Sequence, residues 1–444
     1  MSKQINGIPT VSTFRFLRHA RQILKNPLPF HHANFERLGD TFNLKISPKQ
    51  SLLFSRNPEF ATYVLQKNQK NFNKSKIQTE DLAKYIGRGL LTSEGDLWKT
   101  QRKLIQPAFH KKQLANLLDE VQIAIHKEIG TINTEKAIDI FSIMNDLAFQ
   151  TVVKALFSGA ASENDIAELQ NVTETAQKML ISELRQPYKQ FWYSLTGKIK
   201  KNVAYTRQSR TILKQIVNDR KTSGERKNDL LDMLLDARYD DGTSMEEEQL
   251  LDEILILFTA GHETTSNALT FTCELLARHQ EVQELLIKEI DDLASQDLDL
   301  MQLVQQSTYV NAVINEVMRL YPPAYFIDRL SIEESEFDGM RIPAKSNILF
   351  SVLEIHHHQH YWENPEVFQP ERFLDQKSQN FTAYFPFGAG PRKCIGNNFA
   401  MFEMILAIHT LFKNFRIEEK STPIEILPLI TLKPKNAILK FTSR

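Results

Sequence analysis

Apolar residues recur with helical spacing over most of the chain up to about residue 320, and this pattern predicts a largely helical body. The predicted helices cover about 94–105, 111–130, 138–158, 162–182, 187–221, 280–294 and 309–320. A further long helix begins near Met245, with Glu246, Glu247 and Glu248 in its first turn, where the helix dipole favours acids. Because this helix becomes apolar all round at Ile254–Phe258, we expect it in the centre of the molecule.

The hydrophobic period changes to two in several other stretches, which predict a small β-rich part. The predicted strands lie within 36–56, at Leu330–Phe337, Met340–Pro343 and Ile348–Val352, and as two or three strands within 414–444. Pro48 and Lys49 mark the turn of the first hairpin, and Phe337-Asp338-Gly339-Met340 predicts a tight turn. Residues 73–92 are irregular and predict a loop that lines a pocket.

Together these elements predict a mainly α fold with a small β-rich subdomain, in the α+β class. The β-rich parts are about 36–56, 330–352 and 414–444, and the helical core is about 57–320 and 394–414. Because no Gly/Ser-rich or Pro-rich linker divides the 444 residues, we predict a single domain over 1–444.

Composition narrows the function classes. Lys plus Arg and Asp plus Glu are both 54, so nothing in the overall charge favours a nucleic-acid partner. The two cysteines, Cys273 and Cys394, exclude a disulfide scaffold and fit a reducing compartment. No apolar run near the N-terminus reaches the ~18 residues of a membrane span, so the expected location is cytoplasmic, without an integral anchor. Residues 14–25 are basic and mildly amphipathic, but a packed helix is the preferred interpretation over membrane contact.

The stretch Phe387–Gly396 carries the first candidate chemistry. Gly388, Gly390 and Pro391 predict a loop, and an apolar helical run follows it. Cys394 therefore lies near the start of a buried helix, where the dipole and the cation of Arg392 favour a thiolate. Such a cysteine can be a nucleophile, a redox thiol or an axial ligand of haem iron. A buried structural cysteine is the equally weighted alternative.

The central helix contains Ala260-Gly261-His262-Glu263-Thr264-Thr265. Gly261 costs about 1 kcal/mol in a helix interior, and the small Ala260 and Gly261 would let a flat ligand lie against the backbone. Glu263 and Thr264 form an acid–alcohol pair that could deliver protons. A helix kink with a buried hydroxyl is the simpler alternative.

Further charged and aromatic residues suggest supporting roles. Glu316 and Arg319 are spaced i, i+3, and Arg372 in a later loop could complete a buried charge cluster. Trp98 and Arg102 share one helix face and could donate hydrogen bonds to an anionic group. For the histidines of the 356–360 stretch we reject a metal site, because no spacing closes a tetrahedron.

Four motifs now follow one another in the order typical of one family. They are Trp98-x-x-x-Arg102, Ala260-Gly261-x-Glu263-Thr264-Thr265, Glu316-x-x-Arg319 and Phe387-x-x-Gly390-x-Arg392-x-Cys394-x-Gly396. With Pro370-Glu371-Arg372-Phe373 between the last two, the chain resembles the cytochrome P450 family from about residue 30 to the end.

The resemblance implies a triangular helical prism around haem b and a monooxygenase that inserts one oxygen atom from O₂, by hydroxylation or oxidative O-demethylation. Cys394 would be the iron ligand, Thr264 and Glu263 the catalytic pair, and Glu316, Arg319 and Arg372 the structural cluster. The other residues implied at the cofactor are Trp98, Arg102, Arg329, Arg392, Phe387, Gly388, Ala260 and Gly261.

Substrate and partners are implied more loosely. By family position the pocket includes segments 75–90 and 176–192. The residues expected to contact substrate are Phe258, Tyr325, Phe326, Ile327 and Ile430, with Leu257 as a further apolar candidate. The polar candidates are Asp328, Tyr325, Lys84 and Tyr85. The substrate is either a lipophile, such as a fatty acid or terpenoid, or a small methylated polar compound such as a sugar ether.

Electrons would come from a ferredoxin or flavodoxin with its NAD(P)H reductase, docking on a basic face. The lysines of that face would be Lys99, Lys103, Lys111, Lys112 and Lys393. The protein is expected to be a monomer. A peroxide-dependent peroxygenase or rearrangement enzyme of the same fold and a haem-thiolate sensor are the alternatives.

Overall fold

The computed structural model describes residues 4–5, 7–47, 50–158, 162–185, 189–374 and 381–444. The helices are α1 (Thr13–Arg18), α2 (Ala20–Lys25), α3 (Leu28–Leu38), α4 (Pro58–Thr62), α5 (Ala83–Ile86), α6 (Gly95–Ile105), α7 (Lys111–Ala115), α8 (Leu118–Ile129), α9 (Ile140–Phe157), α10 (Glu163–Arg185), α11 (Gln190–Leu195), α12 (Lys198–Ser223), α13 (Leu230–Asp236), α14 (Glu247–Arg278), α15 (Gln280–Ala294), α16 (Leu300–Gln306), α17 (Thr308–Leu320), α18 (Val352–His356) and α19 (Asn397–Asn414).

The strands are β1 (Gln4–Ile5), β2 (Ile8–Val11), β3 (Thr41–Ser47), β4 (Gln50–Ser55), β5 (Phe72–Asn73), β6 (Ile138–Asp139), β7 (Phe326–Ser331), β8 (Ser335–Phe337), β9 (Met340–Ile342), β10 (Asn347–Ser351), β11 (Phe415–Ile417), β12 (Glu425–Pro428), β13 (Leu432–Lys435), β14 (Ile438–Leu439) and β15 (Phe441–Ser443). The predicted mainly α class with a small β-rich part is confirmed.

The chain divides into two compact units. The β-rich unit comprises Met1–Ser75, Asn315–Cys394 and Ile426–Lys433, and the helical unit comprises Lys76–Ile314, Ile395–Glu425 and Pro434–Arg444. The assignment of a single domain over 1–444 stays a prediction.

The β-rich unit is built on a seven-stranded sheet in the order β1-β2-β3-β4-β10-β7-β5. Strands β3 and β4 form the predicted hairpin, with Phe42 opposite Phe54; its turn at Pro48 and Lys49 lies outside the described residues. On β3 the buried Phe42 and Leu44 alternate with more exposed residues, and the rings of Phe42 and Phe54 stack at 5.5 Å between centroids. The sheet therefore has its own aromatic core.

The helical unit packs around α14. This helix is buried without interruption from Thr265 to Ala277, which confirms the predicted central helix. Helix α9 packs along it, and α8 packs on α9. Among the described helices, α9 is the one with the length and hydropathy to cross a membrane, and 61% of it is buried in the protein.

Several boundaries differ from the predictions. The predicted helix 111–130 is broken into α7 and α8, and 187–221 is broken into α11 and α12 by Gly197, whose φ of 67° ends a helix. The predicted irregular stretch 73–92 contains the π-helical turn Ile77–Leu82 and α5.

The β-strand predictions were also wrong in detail. The predicted strand Leu330–Phe337 is split into β7 and β8, residues 36–38 belong to α3, and the region after 414 holds β11–β15 rather than two or three strands. The tight turn at Asp338 and Gly339 is confirmed, with φ values of 48° and 73°.

Candidate functional site

The cysteine loop belongs to the β-rich unit. The backbone N–H of Cys394 donates to the carbonyl oxygen of Phe387 at 2.9 Å, which closes the loop. Gly388 and Gly390 have φ near 70°, and a Cβ on Gly390 would collide with the carbonyl oxygen of Leu65. Both glycines are therefore required for this conformation.

The thiol of Cys394 is exposed, whereas Cys273 is buried. The alternative that Cys394 is a buried structural cysteine is therefore wrong. Burial raises the pKa of the Cys273 thiol above its ordinary range, so Cys273 is kept neutral. Of the two cysteines, only Cys394 is placed to react with or ligate another group.

Two of the arginines implied at the cofactor also lie in the β-rich unit. A guanidinium nitrogen of Arg392 is 3.3 Å from the side-chain oxygen of Gln69. Arg329 is buried on β7 and donates to the carbonyl oxygen of Asp328 at 2.7 Å. The structure thus holds both cations in set orientations on the unit that carries Cys394.

The predicted charge cluster is present in the β-rich unit. Arg319 and Glu316 are both fully buried and form a two-point ion pair, with N···O distances of 2.7 and 2.8 Å. Nε of Arg372 lies 3.4 Å from Oε1 of the same carboxylate. The remaining Arg319 donors reach the carbonyl oxygens of His356, Pro365 and Val367. Every N–H of the Arg319 guanidinium is thus directed at an acceptor. These bonds hold the backbone at His356, Pro365 and Val367 against α17.

His356 is part of the same network. The backbone N–H of Phe385 donates to its Nε2 at 2.8 Å, so Nδ1 carries the proton and faces the carbonyl oxygen of Arg319 at 3.2 Å. Burial and the charge of Arg319 hold the pKa of His356 well below its ordinary value. Within the described residues no cluster of three metal-ligating side chains occurs.

In the helical unit, one stripe of α14 is accessible although its neighbours are buried. Ala260 is exposed and Leu257, Gly261 and Thr264 are partly exposed, whereas Phe258, Thr259 and His262 are buried. These four positions are spaced i, i+3, i+4 and i+7, so they form one face. The hydroxyl of Thr264 donates to the carbonyl oxygen of Ala260 at 3.1 Å, one turn earlier on the same helix. Glu263 lies beside this face and is partly exposed.

Gly261 has a second explanation that the sequence did not supply. A Cβ on Gly261 would lie 2.9 Å from Cγ2 of Val152 on α9. The absence of a side chain therefore lets α9 and α14 approach closely. Helix packing accounts for this glycine, and its contact with a cofactor stays a prediction.

Trp98 and Arg102 lie on α6 of the helical unit, one turn apart. Trp98 is buried, and Arg102 is partly exposed and donates from Nε to the side-chain oxygen of Gln106 at 3.0 Å. The i, i+4 arrangement on one face is confirmed.

Two residues expected to contact substrate pack against other aromatic rings. Phe258 is buried and packs edge-on against Phe149 of α9, with ring centroids 4.6 Å apart. Phe326 joins the aromatic core of the β-rich unit, 5.8 Å from Phe54. Both rings are engaged in packing, and the partly exposed Leu257 is the apolar side chain on the accessible face of α14. Substrate contact by Phe258 and Phe326 stays a prediction.

Of the other expected substrate residues, Ile430 and Ile327 keep accessible surface, whereas Tyr325 is buried. Ile430 is exposed, and Ile327 lies beside Gly388, with its Cδ1 3.9 Å from where a Cβ would be. Tyr325 is buried, and its hydroxyl donates to the carbonyl oxygen of Leu429 at 2.6 Å.

Glu183 was missed by the sequence analysis. It is buried near the end of α10, and its carboxylate accepts a hydrogen bond from the hydroxyl of Tyr85. The same carboxylate forms an ion pair with Lys84, with 2.6 Å between Oε2 and Nζ. Burial and this carboxylate raise the pKa of Tyr85 above its ordinary range. No spacing along the chain links Glu183 to α5, so the pattern alone could not have found it.

Glu403 was also missed. It is the one acid in the apolar stretch Phe399–Phe412 of α19, and that exception was the available signal. The hydroxyl of Thr151 donates to its carboxyl group, which also bonds to Thr265. Burial raises the pKa of Glu403 to about 8. A neutral carboxylic acid is thus held between α9, α14 and α19.

The basic face is less open than the sequence suggested. Lys99 pairs with Asp96 at 3.0 Å and Lys103 with Asp240 at 2.7 Å. Lys111 and Lys112 are exposed on α7. The lysines of α7 are therefore the better candidates for contact with an acidic protein.

Comparison with known proteins gives a consistent result. The family model described as Cytochrome P450 matches residues 8–441. The chain is 29% identical over 404 residues to cyclooctat-9-en-7-ol 5-monooxygenase of Streptomyces melanosporofaciens, covering 90% of this chain and 87% of that protein. It is 26% identical over 435 residues to pentalenene oxygenase of Streptomyces avermitilis, covering 96% and 95%.

The fold agrees with these sequence relatives. The crystal structure of the cytochrome P450DA heme domain matches with a TM-score of 0.86 at 19% identity, covering 98% of both chains. The family match spans nearly the whole chain, and its relatives include enzymes named as monooxygenases and oxygenases. The chain therefore belongs to the cytochrome P450 family, the monooxygenase class of haem-dependent oxidoreductases.

Proposed function

We propose that this cytochrome P450 inserts one oxygen atom from O₂ into a lipophilic organic substrate, using haem b ligated by Cys394. The observation that carries the proposal is the exposure of Cys394, which the glycine-containing loop Phe387–Gly396 presents. A thiolate ligand favours oxygen activation over reversible oxygen binding.

Each unit, taken by itself, carries residues whose chemistry suits haem binding. The β-rich unit offers one accessible thiol, with the cations of Arg392 and Arg329 on the same unit for the propionates. The helical unit offers the small residue Ala260 on an accessible helix face and the donors of Trp98 and Arg102. Thiol, cations and small helix residues are the chemistry that haem binding requires.

The haem supplies the activation of O₂, and the chain supplies protons and position. The hydroxyl of Thr264 is held on Ala260 by its 3.1 Å hydrogen bond and can rotate to donate toward the accessible face. Glu263, one residue away, can replace the proton that Thr264 gives up. Leu257 and Ala260 would hold an apolar substrate against the same face.

The state of the polar side chains favours a lipophile over a sugar ether. Lys84 and Tyr85 are paired with Glu183, and Asp328 accepts a hydrogen bond from Ser75. The hydroxyl of Tyr325 donates within the protein as well. Since each polar candidate already has a protein partner, none of them needs a polar substrate to satisfy its hydrogen bonding.

The relatives support the same substrate class. By their names they act on cyclooctat-9-en-7-ol and pentalenene. We propose hydroxylation of a terpenoid or a fatty acid as the first reaction to test, ahead of O-demethylation.

We further propose that the enzyme is a cytoplasmic monomer that takes electrons from a ferredoxin or flavodoxin and its NAD(P)H reductase. The exposed lysines of α7 would contact the acidic partner. Reversing the charge of Lys111 and Lys112 should slow haem reduction, most strongly at low salt; unchanged rates would exclude α7 from the docking surface.

The decisive experiment is spectroscopic. The reduced protein under carbon monoxide should show the red-shifted Soret band of a thiolate ligand, and Cys394→Ser should lose it while Cys273→Ser keeps it. A library of terpenoids, fatty acids and methylated sugars should then be screened for Soret shifts. Turnover with a reductase system but not with peroxide alone separates the monooxygenase from a peroxygenase. An unchanged spectrum in Cys394→Ser would overturn the proposal.

A further inference from the structure

A cavity of about 560 Å³ lies in the helical unit between α6 and the segment that contains α13. Its lining comes from α6, from the turn and the short helix α7 that follow it, and from residues 226–240. Leu104, Pro107, Met233 and Leu234 give it apolar surface. We call it the α13 groove. Sites for small molecules in proteins commonly enclose about 300–1,000 Å³, so the size fits a ligand.

The α13 groove is distinct from the face of α6 that is implied at the haem. Thr100, Lys103 and Leu104 line the groove, and their i, i+3, i+4 spacing places them on one face of α6. Successive residues of a helix are about 100° apart. Trp98 and Arg102 therefore lie on roughly the opposite face. A ligand in the groove would contact the side of α6 that faces away from these two residues.

The charged side chains of the groove leave one cation over. The three carboxylates among the lining residues are each paired, in the ion pairs Lys103–Asp240, Arg226–Asp236 and Arg220–Asp232. Arg238 also lines the groove, and it forms no ion pair with a carboxylate of the described residues. The groove therefore has an excess of one positive charge, which is complementary to a monoanion.

The guanidinium of Arg238 is held with one edge free. Its Nη1 donates to the carbonyl oxygens of Leu235 and Ala237 at 2.7 and 3.0 Å. Within the part of the chain that the structure describes, Nε and Nη2 have no acceptor, and such an edge can bind a carboxylate through two parallel hydrogen bonds. At the next residue, Nε2 of Gln101 donates to the phenolic oxygen of Tyr239 at 2.8 Å, so the Tyr239 O–H is left to donate elsewhere.

We propose that the α13 groove binds an organic monoanion with an apolar body, such as an alkyl or aryl carboxylate. The anionic group accepts hydrogen bonds from the free edge of Arg238 and from the hydroxyl of Tyr239. The apolar body lies against Leu104 and Met233, which are both partly exposed. A small molecule suits this concave site better than a protein surface does, because a stable protein interface buries about 800 Å² on each partner.

The test measures binding of two matched probes to the haem-bound full chain by equilibrium dialysis. Anilinonaphthalene sulfonate is an organic monoanion, and phenylnaphthylamine has the same aromatic rings without the charge. The sulfonate should bind about fivefold more tightly, the effect of one partly exposed charge pair. Decanoate should displace the bound sulfonate, and decanol should displace it less well. Free probe is measured in the chamber without protein, so haem absorption does not interfere.

The charge variant is Arg238→Gln. It should weaken binding of the sulfonate about fivefold and leave binding of phenylnaphthylamine unchanged. Arg238→Lys keeps the positive charge and should retain more of the affinity than Arg238→Gln does. The matched control is Arg207→Gln, which makes the same change in net charge at an exposed position of α12 and should bind both probes as the wild type does.

The shape of the groove is tested by filling it. Ala237 lines the groove and is partly exposed, so Ala237→Phe should place a ring in the space and abolish binding of both probes. Ala294→Phe adds the same ring at the exposed end of α15 and should have no effect. Far-UV circular dichroism and the carbon monoxide spectrum show whether each variant is folded and loaded with haem.

Equal binding of the two probes, unchanged affinity for the sulfonate in Arg238→Gln, or unchanged binding in Ala237→Phe would each overturn the proposal. Probe bound at the haem would give that last pattern, since the groove variants would not affect it. The proposal would also be overturned if Arg238→Gln slowed reduction by a ferredoxin but bound the sulfonate normally, because the site would then serve a protein. The carbon monoxide spectrum reports failure of the Cys394 assignment separately.

Discussion

Replacing Glu316 by glutamine tests how much the buried charge cluster of the β-rich unit contributes to stability. The change keeps the shape of the side chain and removes its charge. Both Glu316 and Arg319 have no exposed surface, and the carboxylate accepts two hydrogen bonds from the guanidinium at 2.7 and 2.8 Å. Arg319 would keep its bonds to backbone carbonyl oxygens but would remain charged in an environment without an anion.

The expected cost follows from that unpaired charge. Removing one partner of a buried ion pair destabilises a protein by about 3–5 kcal/mol. The glutamine oxygen can still accept one hydrogen bond, so we expect the lower end of that range, about 3 kcal/mol. The pair Glu334 and Arg341 lies 2.6 Å apart in the same unit but is exposed. Glu334→Gln should cost less than about 1 kcal/mol.

Urea unfolding of the haem-bound protein, followed by far-UV circular dichroism, measures both variants against the wild type. The Soret band followed in parallel reports when haem is lost. The reasoning is refuted if the losses of unfolding free energy in Glu316→Gln and Glu334→Gln differ by less than about 1 kcal/mol. An unpaired buried charge would then cost little more than an unpaired exposed one.

Three further predictions concern the helical unit. Gly261→Ala should destabilise by about 1–3 kcal/mol because its methyl group would press on Val152, and adding Val152→Ala should restore most of the loss; a Gly261→Ala variant of unchanged urea midpoint would contradict the packing explanation. The pKa of Glu403 is raised to about 8, so the native state keeps a proton that the unfolded chain releases near pH 4.5. The free energy of unfolding should therefore fall as pH rises from about 4.5 to 8, by up to ~1.4 kcal/mol per pH unit. Glu403→Gln should remove that slope, and equal slopes in both proteins would refute the assignment. Thr264→Ala should keep the carbon monoxide spectrum but release more hydrogen peroxide per NAD(P)H consumed, and full coupling would count against the relay.

The features that the sequence predicted well depend on residues close together in the chain. The cysteine loop follows from glycines within the loop itself, and the pair of Glu316 and Arg319 follows from i, i+3 spacing on one helix. The hydroxyl of Thr264 reaches a carbonyl only one turn away. For such features the backbone geometry of one element decides the outcome, so a single sequence is sufficient.

The features that were missed depend on packing between distant segments. Glu183 meets Tyr85 across 98 positions, and Glu403 meets Thr151 across 252. The packing of Gly261 against Val152 of another helix was likewise not predicted. The periodicity within one helix does not indicate which residue of another helix will face it. The sequence pattern therefore could not predict these partners.

The neighbouring residues Leu257 and Phe258 show the same limit at the scale of one residue, and their difference in exposure bears on how specificity should be probed. Successive side chains on a helix point about 100° apart, so a shift of one position turns a residue from the accessible face of α14 into the packing against Phe149. The all-apolar run Ile254–Phe258 gives no contrast from which that face could be identified. It follows that substitutions at Leu257 should change which lipophiles shift the Soret band, whereas substitutions at Phe258 should act first on stability through the contact between α9 and α14.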